Sequence, residues 1–258
     1  RFLMQEKVLS SKKNGMAMMI LFILLYAAAA GLTVIGSMFF LVPAMVIGII
    51  WLSLGWIPFL GLRVLKPQEA LVLTLFGKYV GTLKDDGFYW VNPFCTAVNP
   101  AAKTKLNQSG DVDGGAAAKS VLTLATGTTA SSNSTYVNKK ISLKIMTLNN
   151  NRQKINDCLG NPIEIGIAVM WRVTDTAKAV FNVDNYKEYL SLQCDSALRN
   201  IVRIYPYDVA PNVDTTGDGV ADEGSLRGSS EIVAGRIRDE IQQKVAEAGL
   251  EIIEARIT

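Results

Sequence analysis

The residues best suited to hold a ligand run from Asp214 to Glu223, in the order Asp-Thr-Thr-Gly-Asp-Gly-Val-Ala-Asp-Glu. Asp214, Thr216, Asp218, the Val220 carbonyl and Asp222 occupy positions 1, 3, 5, 7 and 9 of an EF-type calcium loop, with Gly219 at position 6. Position 12 is Ser225, where a bidentate Glu is required. At most weak calcium binding is expected, and a solvated acidic loop between two helices is the better reading. Cys95, Cys158 and Cys194 are odd in number and form no CxxC pair, so they suggest neither a zinc site nor a redox dithiol. Reduced, mostly buried thiols are expected. Histidine is absent, which removes the usual general base near neutral pH, the Ser-His and Cys-His arrangements and the commonest metal ligand. No GxSxG, P-loop or GxGxxG occurs. Asp, Glu or Lys catalysis finds no support, so no catalytic residue, cofactor or metal site is expected and the chain does not read as an enzyme.

The elements around these residues begin with a 49-residue stretch, Asn14 to Leu62, that contains no Asp, Glu, Lys or Arg. A charge at the centre of a bilayer costs roughly 3 kcal/mol or more, and no soluble domain demands such a gap. As helix the stretch measures ~70 Å, about twice the ~30 Å hydrocarbon core, so two spans with a short turn fit. Gly36-Ser37 is expected to break the run, giving spans at Met16–Ile35 and Met38–Ile57, with Pro43 early in the second where a helix start tolerates it. Lys7, Lys12 and Lys13 precede the hairpin and Arg63 and Lys66 follow it, while the turn is uncharged. The positive-inside rule then places both ends in the cytoplasm, although a shallow hairpin would leave the same signature. Trp51 and Trp56 look like interfacial anchors. The segment ahead of the hairpin holds four basic residues and one acidic; the rest carries 22 of each sign, interspersed. That balance offers no basic face for nucleic acid, and the small positive excess favours membrane lipids.

After the hairpin the chain reads as one α+β unit. Strands are expected at Glu69–Phe76, Phe88–Val91 and Lys140–Leu148, the last with Ile141, Leu143 and Ile145 on one face. The clearest is Ile163–Val173, where Ile163, Ile165, Ile167, Val169, Trp171 and Val173 share a face. Helices are expected at Asp175–Phe181, at Tyr186–Tyr205 with Asn185 as its start signal, and at about Ser229–Ala248 before Gly249; Leu250–Ile257 returns to strand. Pro100–Asn138 is poor in large apolar residues and reads as a loop or flimsy hairpin, carrying sequons at Asn107 and Asn133 that a cytoplasmic domain leaves unused.

One ordered set of motifs is specific. Lys66-Pro67-Gln68-Glu69-Ala70 leads into Leu75-Phe76-Gly77-Lys78-Tyr79-Val80-Gly81-Thr82, then Gly87-Phe88-Tyr89-Trp90-Val91-Asn92-Pro93-Phe94. Asn156-Asp157-Cys158-Leu159-Gly160-Asn161-Pro162-Ile163-Glu164-Ile165, Trp171-Arg172-Val173, Tyr205-Pro206-Tyr207-Asp208, Leu226-Arg227-Gly228 and Ala248–Ile257 follow. In this order the chain resembles the SPFH (band 7) family of stomatins, prohibitins, flotillins and bacterial HflK/C proteins, with its closest likeness to bacterial two-span members. Residues 100–138 depart from that pattern and look like an insertion. The resemblance implies a basic segment at 1–15, a two-span hairpin at 16–62, and an SPFH domain of two small α/β subdomains, 63–173 and 174–258, with a coiled coil expected past Thr258.

It further implies a non-enzymatic, membrane-anchored scaffold in a bacterial inner or cell membrane, a homo-oligomer whose large ring or cage organises a membrane microdomain. A regulatory subunit of a membrane protease or channel is the alternative, and a membrane-bound hydrolase the reading from a third class. Unpaired strand edges at Leu71–Phe76 and Ile163–Val173 are the expected lateral contacts.

Overall fold

The computed structural model describes residues 5–9, 14–40, 42–104, 106, 138–207, 226 and 230–258. The acidic loop at 214–223, both sequons and nearly all of the expected insertion at 100–138 lie outside the described residues. Two apolar N-terminal helices precede a mixed α/β domain with several sheets, an α+β chain in which two compact units form: Lys7–Val98, and Arg1–Glu6 with Asn99–Thr258.

In the unit Lys7–Val98, helices α1 (Gly15–Met38) and α2 (Val42–Leu54) are followed by a 3-10 turn at Ile57–Gly61 and five short strands. Strand β1 (Leu62–Leu65) pairs antiparallel with β4 (Gly87–Trp90). Strand β2 (Glu69–Leu75) lies between β3 (Lys78–Leu83) and β5 (Cys95–Ala97), antiparallel to both. Phe76 (φ 49°) and Gly77 (φ 83°) make the two-residue turn from β2 to β3, where left-handed backbone matches the twist of the strands. Leu65, Leu71, Leu73, Leu83, Tyr89 and Cys95 form the core, joined by Leu9. Leu9 gets there because Lys7–Leu9 runs along β3, with Leu9 N donating to Thr82 O and Thr82 N to Lys7 O, both at 2.9 Å. Any side chain on Gly81 would collide with Leu9.

The other unit is built on β7 (Met146–Asn156), β8 (Pro162–Val173) and β9 (Leu250–Ile257), antiparallel in that order, after the short strand β6 at Ile141–Ser142. The β8 expectation holds: Ile165, Ile167, Val169, Trp171 and Val173 are buried. Another needs correction. The stretch Lys140–Leu148 is not one strand; the chain leaves β6 after Ser142 and the alternation changes phase, so Ile145 is 57% exposed while Met146 and Leu148 are buried. Strand β8 is central in its sheet, with Val173 paired to Leu250, and the two compact units meet in the sequence between Val98 and Asn99.

Three helices cover this sheet: α3 (Thr176–Phe181), α4 (Tyr186–Val202) and α5 (Ser230–Val245). Asp175 caps α3 by accepting from Lys178 N at 2.9 Å, and Asn185 caps α4 by accepting from Lys187 N and Glu188 N. Leu190, Cys194, Ala197, Leu198 and Ile201 of α4 and Val233, Ile237, Ile241 and Val245 of α5 are buried, the stripes their spacing predicts. Thr176 donates from both N and Oγ1 to the Glu6 carboxylate, at 3.1 and 2.6 Å. After a 3-10 turn at Ala246–Ala248, Gly249 adopts φ 67° and its carbonyl accepts from Thr174 N and Asp175 N. A Cβ at Gly249 would strike the Asp175 carbonyl. Gly249→Val should therefore lower stability by at least about 1 kcal/mol, read as a drop in the thermal midpoint of the detergent-solubilised chain.

Candidate functional site: a membrane hairpin

Helix α1 does not break at Gly36-Ser37 as expected; it runs on to Met38, and the reversal falls at Phe39–Phe40, with Phe40 at φ 52°. The two segments long and apolar enough to cross a membrane are Gly15–Met38 and Val42–Gly61. The reason is packing. Gly36 has no side chain where the Met45 backbone of α2 approaches, so the glycine serves the helix pair instead of ending a helix. Gly48 likewise lies against Ala29 and Thr33, and Gly55 against the Tyr26 ring. Tyr26 Oη donates to the Leu52 carbonyl at 2.6 Å. In an apolar solvent, helices associate through such close backbone approach and interhelical hydrogen bonds, since burying Leu gains nothing over lipid. Many apolar side chains of both helices, among them Ile20, Leu24, Val34, Ile47 and Ile50, are exposed.

The helix pair is seated on the first of the two units. Gly15 abuts the Phe88 backbone of β4, and the Phe22 ring packs against Phe59 and Trp90 at centroid distances of 5.6 and 5.9 Å. Trp90 Nε1 donates to the Pro58 carbonyl at 2.9 Å. Trp51 and Trp56 are exposed, in keeping with interfacial anchors. Neither the Gly48–Gly55 seam nor the Phe22–Trp90 contact is visible in hydropathy, which registers the apolar run but not which of its faces meet. Gly48→Leu should prise the helices apart: a Cys pair bridging Ala29 and Leu52 in otherwise cysteine-free protein should lose most of its oxidative cross-linking, with Ile47→Leu, on the outward face, as the unaffected control.

Two of the three thiols are buried. Burial pushes the Cys194 thiol up to about 12, with Asp195 adding to the effect, and burial raises Cys95 despite the Arg63 charge nearby. Among the described residues no group of three or more His, Cys, Asp or Glu could hold a metal ion. A cleft of about 470 Å³ is lined by Asp157, Leu159, Asn161, Pro162, Ile163, Glu164 and Tyr207. Its buried carboxylate is a structural hub: Asp157 accepts from Leu159 N, Asn161 N, Asn161 Nδ2 and Tyr207 N, at 3.0, 2.7, 3.3 and 3.2 Å. Burial raises its pKa, but the bonds from Asn161, Tyr207 and Leu159 outweigh that and hold the carboxyl below the ordinary carboxylate value. A depressed folded-state pKa contributes stability that is present above the unfolded-state value and lost as pH falls through the folded-state one. Asp157→Asn should cost about 2 kcal/mol at neutral pH, and its deficit against wild type should shrink as unfolding is measured progressively below pH ~4.

The expected lateral edges are also occupied. Strand β2 is flanked by β3 and β5, and β8 by β7 and β9, so neither Leu71–Phe76 nor Ile163–Val173 offers an unpaired edge. Even the outer edge of β9 is partly covered, since Gln242 of α5 accepts from Ile252 N at 2.7 Å and donates to the Leu250 carbonyl at 3.2 Å.

No curated protein matches the chain. The family profile of the SPFH domain / Band 7 family matches residues 63–258, beginning where the chain leaves the hairpin and enters β1. Proteins of this family are commonly membrane scaffolds or regulators, typically associate with membranes and oligomerise, and are generally non-enzymatic. With two apolar helices ahead of a domain that the profile covers to residue 258, the chain belongs to the SPFH domain / Band 7 family.

Proposed function

We propose that this chain is a non-enzymatic, membrane-anchored scaffold that oligomerises into a ring or cage and organises a patch of membrane. The observation that carries the reading is the direct join of hairpin to domain. The 3-10 turn ends at Gly61 and β1 begins at Leu62, while Phe22, Phe59 and Trp90 pack together, so no flexible spacer separates bilayer from sheet. A sheet fixed in orientation to the membrane leaves the corresponding sheets of neighbouring copies only rotation about the normal and sliding in the plane. Modest lateral contacts then suffice to close a ring, because most of the rotational and translational cost of association is already met. With β2 and β8 internal to their sheets, those contacts fall to helix surfaces, where Leu192 and Ile232 are exposed, and to outer strands. Both hairpin ends lie on the cytoplasmic side of a bacterial inner or cell membrane in this reading, in line with Lys7, Arg63 and Lys66 beside the uncharged turn.

Single-particle imaging of the full-length protein in mild detergent tests the proposal. A closed assembly of many copies is the expected outcome. A homogeneous monomer or dimer would overturn it, and a one-to-one complex with a membrane protease or channel would make the chain a regulatory subunit instead.

A further inference from the structure

The sheet β7–β8–β9 ends in two outer strands whose backbones are only partly used. Gly166 N donates to Thr258 O at 2.9 Å and Thr258 N to Gly166 O at 3.0 Å, which sets the alternation of the ladder. Gly166 of β8 therefore faces β9, Ile167 faces β7, and Asn150, the partner of Ile167, faces back. Asn149 must then turn its N–H and C=O away from the sheet. Beyond the bulge between Asn150 and Gln153, the same alternation turns Lys154 outward. On the opposite side Arg256 faces β8, while Ala255 and Ile257 face out. Gln242 covers β9 at Leu250 and Ile252. Among the described residues no hydrogen bond reaches the outward backbone groups of Asn149, Lys154, Ala255 or Ile257.

Direction and charge say what these edges fit. Strands β7 and β9 are each antiparallel to β8, so they run the same way. Copies set side by side around a ring of many members differ by a small rotation, and β7 of one then meets β9 of the next in parallel. Such a contact joins two different surfaces and repeats from copy to copy, the arrangement that closes rings. A two-fold contact would instead set β7 against β7 or β9 against β9. The charges oppose that. Arg152 and Lys154 are exposed on β7, which carries no acid, whereas β9 carries Glu251 and Glu254 against one Arg256. Like charges across paired strands repel and opposite charges attract. Neither Arg152 nor Lys154 has an ion pair among the described residues, although Lys154 lies opposite Glu164 in the register.

We propose that the β7 edge of one copy and the β9 edge of the next pair in parallel, so that the sheet continues from copy to copy. The proposal rests on the scaffold reading and deepens it, naming a second copy of this chain as the partner and the strands that meet. Gln242 and the bulge in β7 shorten the two edges, so each junction holds only a few backbone hydrogen bonds. Its strength then depends on the high effective concentration that a shared membrane supplies.

The test uses the full chain in vesicles of phosphatidylcholine and phosphatidylglycerol, with Cys95, Cys158 and Cys194 replaced by Ala. One new cysteine, Asn149→Cys or Lys154→Cys, is combined with Ile253→Cys or Arg256→Cys and treated with a short bis-maleimide. Expected is a ladder of dimers, trimers and higher multiples when both cysteines share a chain, and monomer alone when either is single. Lys154→Pro removes an outward donor that β7 does not use in its own sheet, and should cut the ladder of the Asn149→Cys, Arg256→Cys chain roughly fivefold. An undiminished ladder in Lys154→Pro would overturn the strand pairing, as would dimers from a single cysteine at 149 or 154, which mark a two-fold contact. A closed assembly in single-particle images that gives no ladder would overturn it while leaving the scaffold standing. Absence of both assembly and ladder would sink the scaffold reading together with the proposal.

Discussion

An apolar helix gives its backbone N–H and C=O groups nothing to bond but one another, and residues 15–61 of this chain are organised around that constraint. The two helices satisfy their own backbones, and the reversal between them is so short that Phe39 N still reaches the Ile35 carbonyl and Val42 N the Phe40 carbonyl, both at 3.0 Å. The few hydroxyls follow the same rule. Thr33, Ser37 and Ser53 each donate to the carbonyl three residues earlier in their own helix, and Tyr26 crosses to the partner helix. With polar groups consumed internally, the helices are left to recognise each other by shape, which is why Ala29, Gly36, Gly48 and Gly55 form the seam. Strand β4 is held to this pair through Gly15 on Phe88 and Phe22 on Trp90.

Where water surrounds the chain, the same bookkeeping of donors and acceptors is done by side chains. Asp157 gathers the donors of a turn that no strand or helix could satisfy. Gln242 stands in for a missing strand at the edge of β9. Asn150, beside a bulge in β7, donates to the Ser191 carbonyl and to Asp195 of α4. These residues tie the sheet and its turns to the surrounding helices.

The legible parts of the sequence were those in which one physical signal dominates. The charge-free run, the strict alternation of Ile163–Val173, the helical stripes of α4 and α5 and the αL glycine after α5 are each set by burial or by backbone sterics acting over a short window. Gly36-Ser37 misled because local propensity favours a break, whereas contact with Met45 of the partner helix favours continuity, and the contact prevails. The phase change at Ile145 and the polar half of β7 were hidden because a strand paired with β8 needs no apolar pattern of its own. Strands β1, β3 and β5 are three to six residues long, too short for alternation to register. The stacking of Phe76 on Phe94 was invisible for a different reason: 18 residues of sequence separate two rings that only the β2–β5 register brings together.

The central position of β8 has a consequence for how the protein is made. Its partner β9 lies at Leu250–Ile257, so the sheet cannot close until nearly 200 residues beyond the hairpin have been translated. At about 5–20 residues per second, the ribosome delivers the hairpin roughly 10–40 seconds before the last strand of that sheet. The unit Lys7–Val98, by contrast, is contiguous in the sequence. The pairings of β1 with β4 and of β2 with β3 and β5 can therefore form while β8 still waits for its second neighbour. On the membrane-anchored reading, the nascent chain would be tethered throughout that interval, and β8 would be held where its own later segment arrives first.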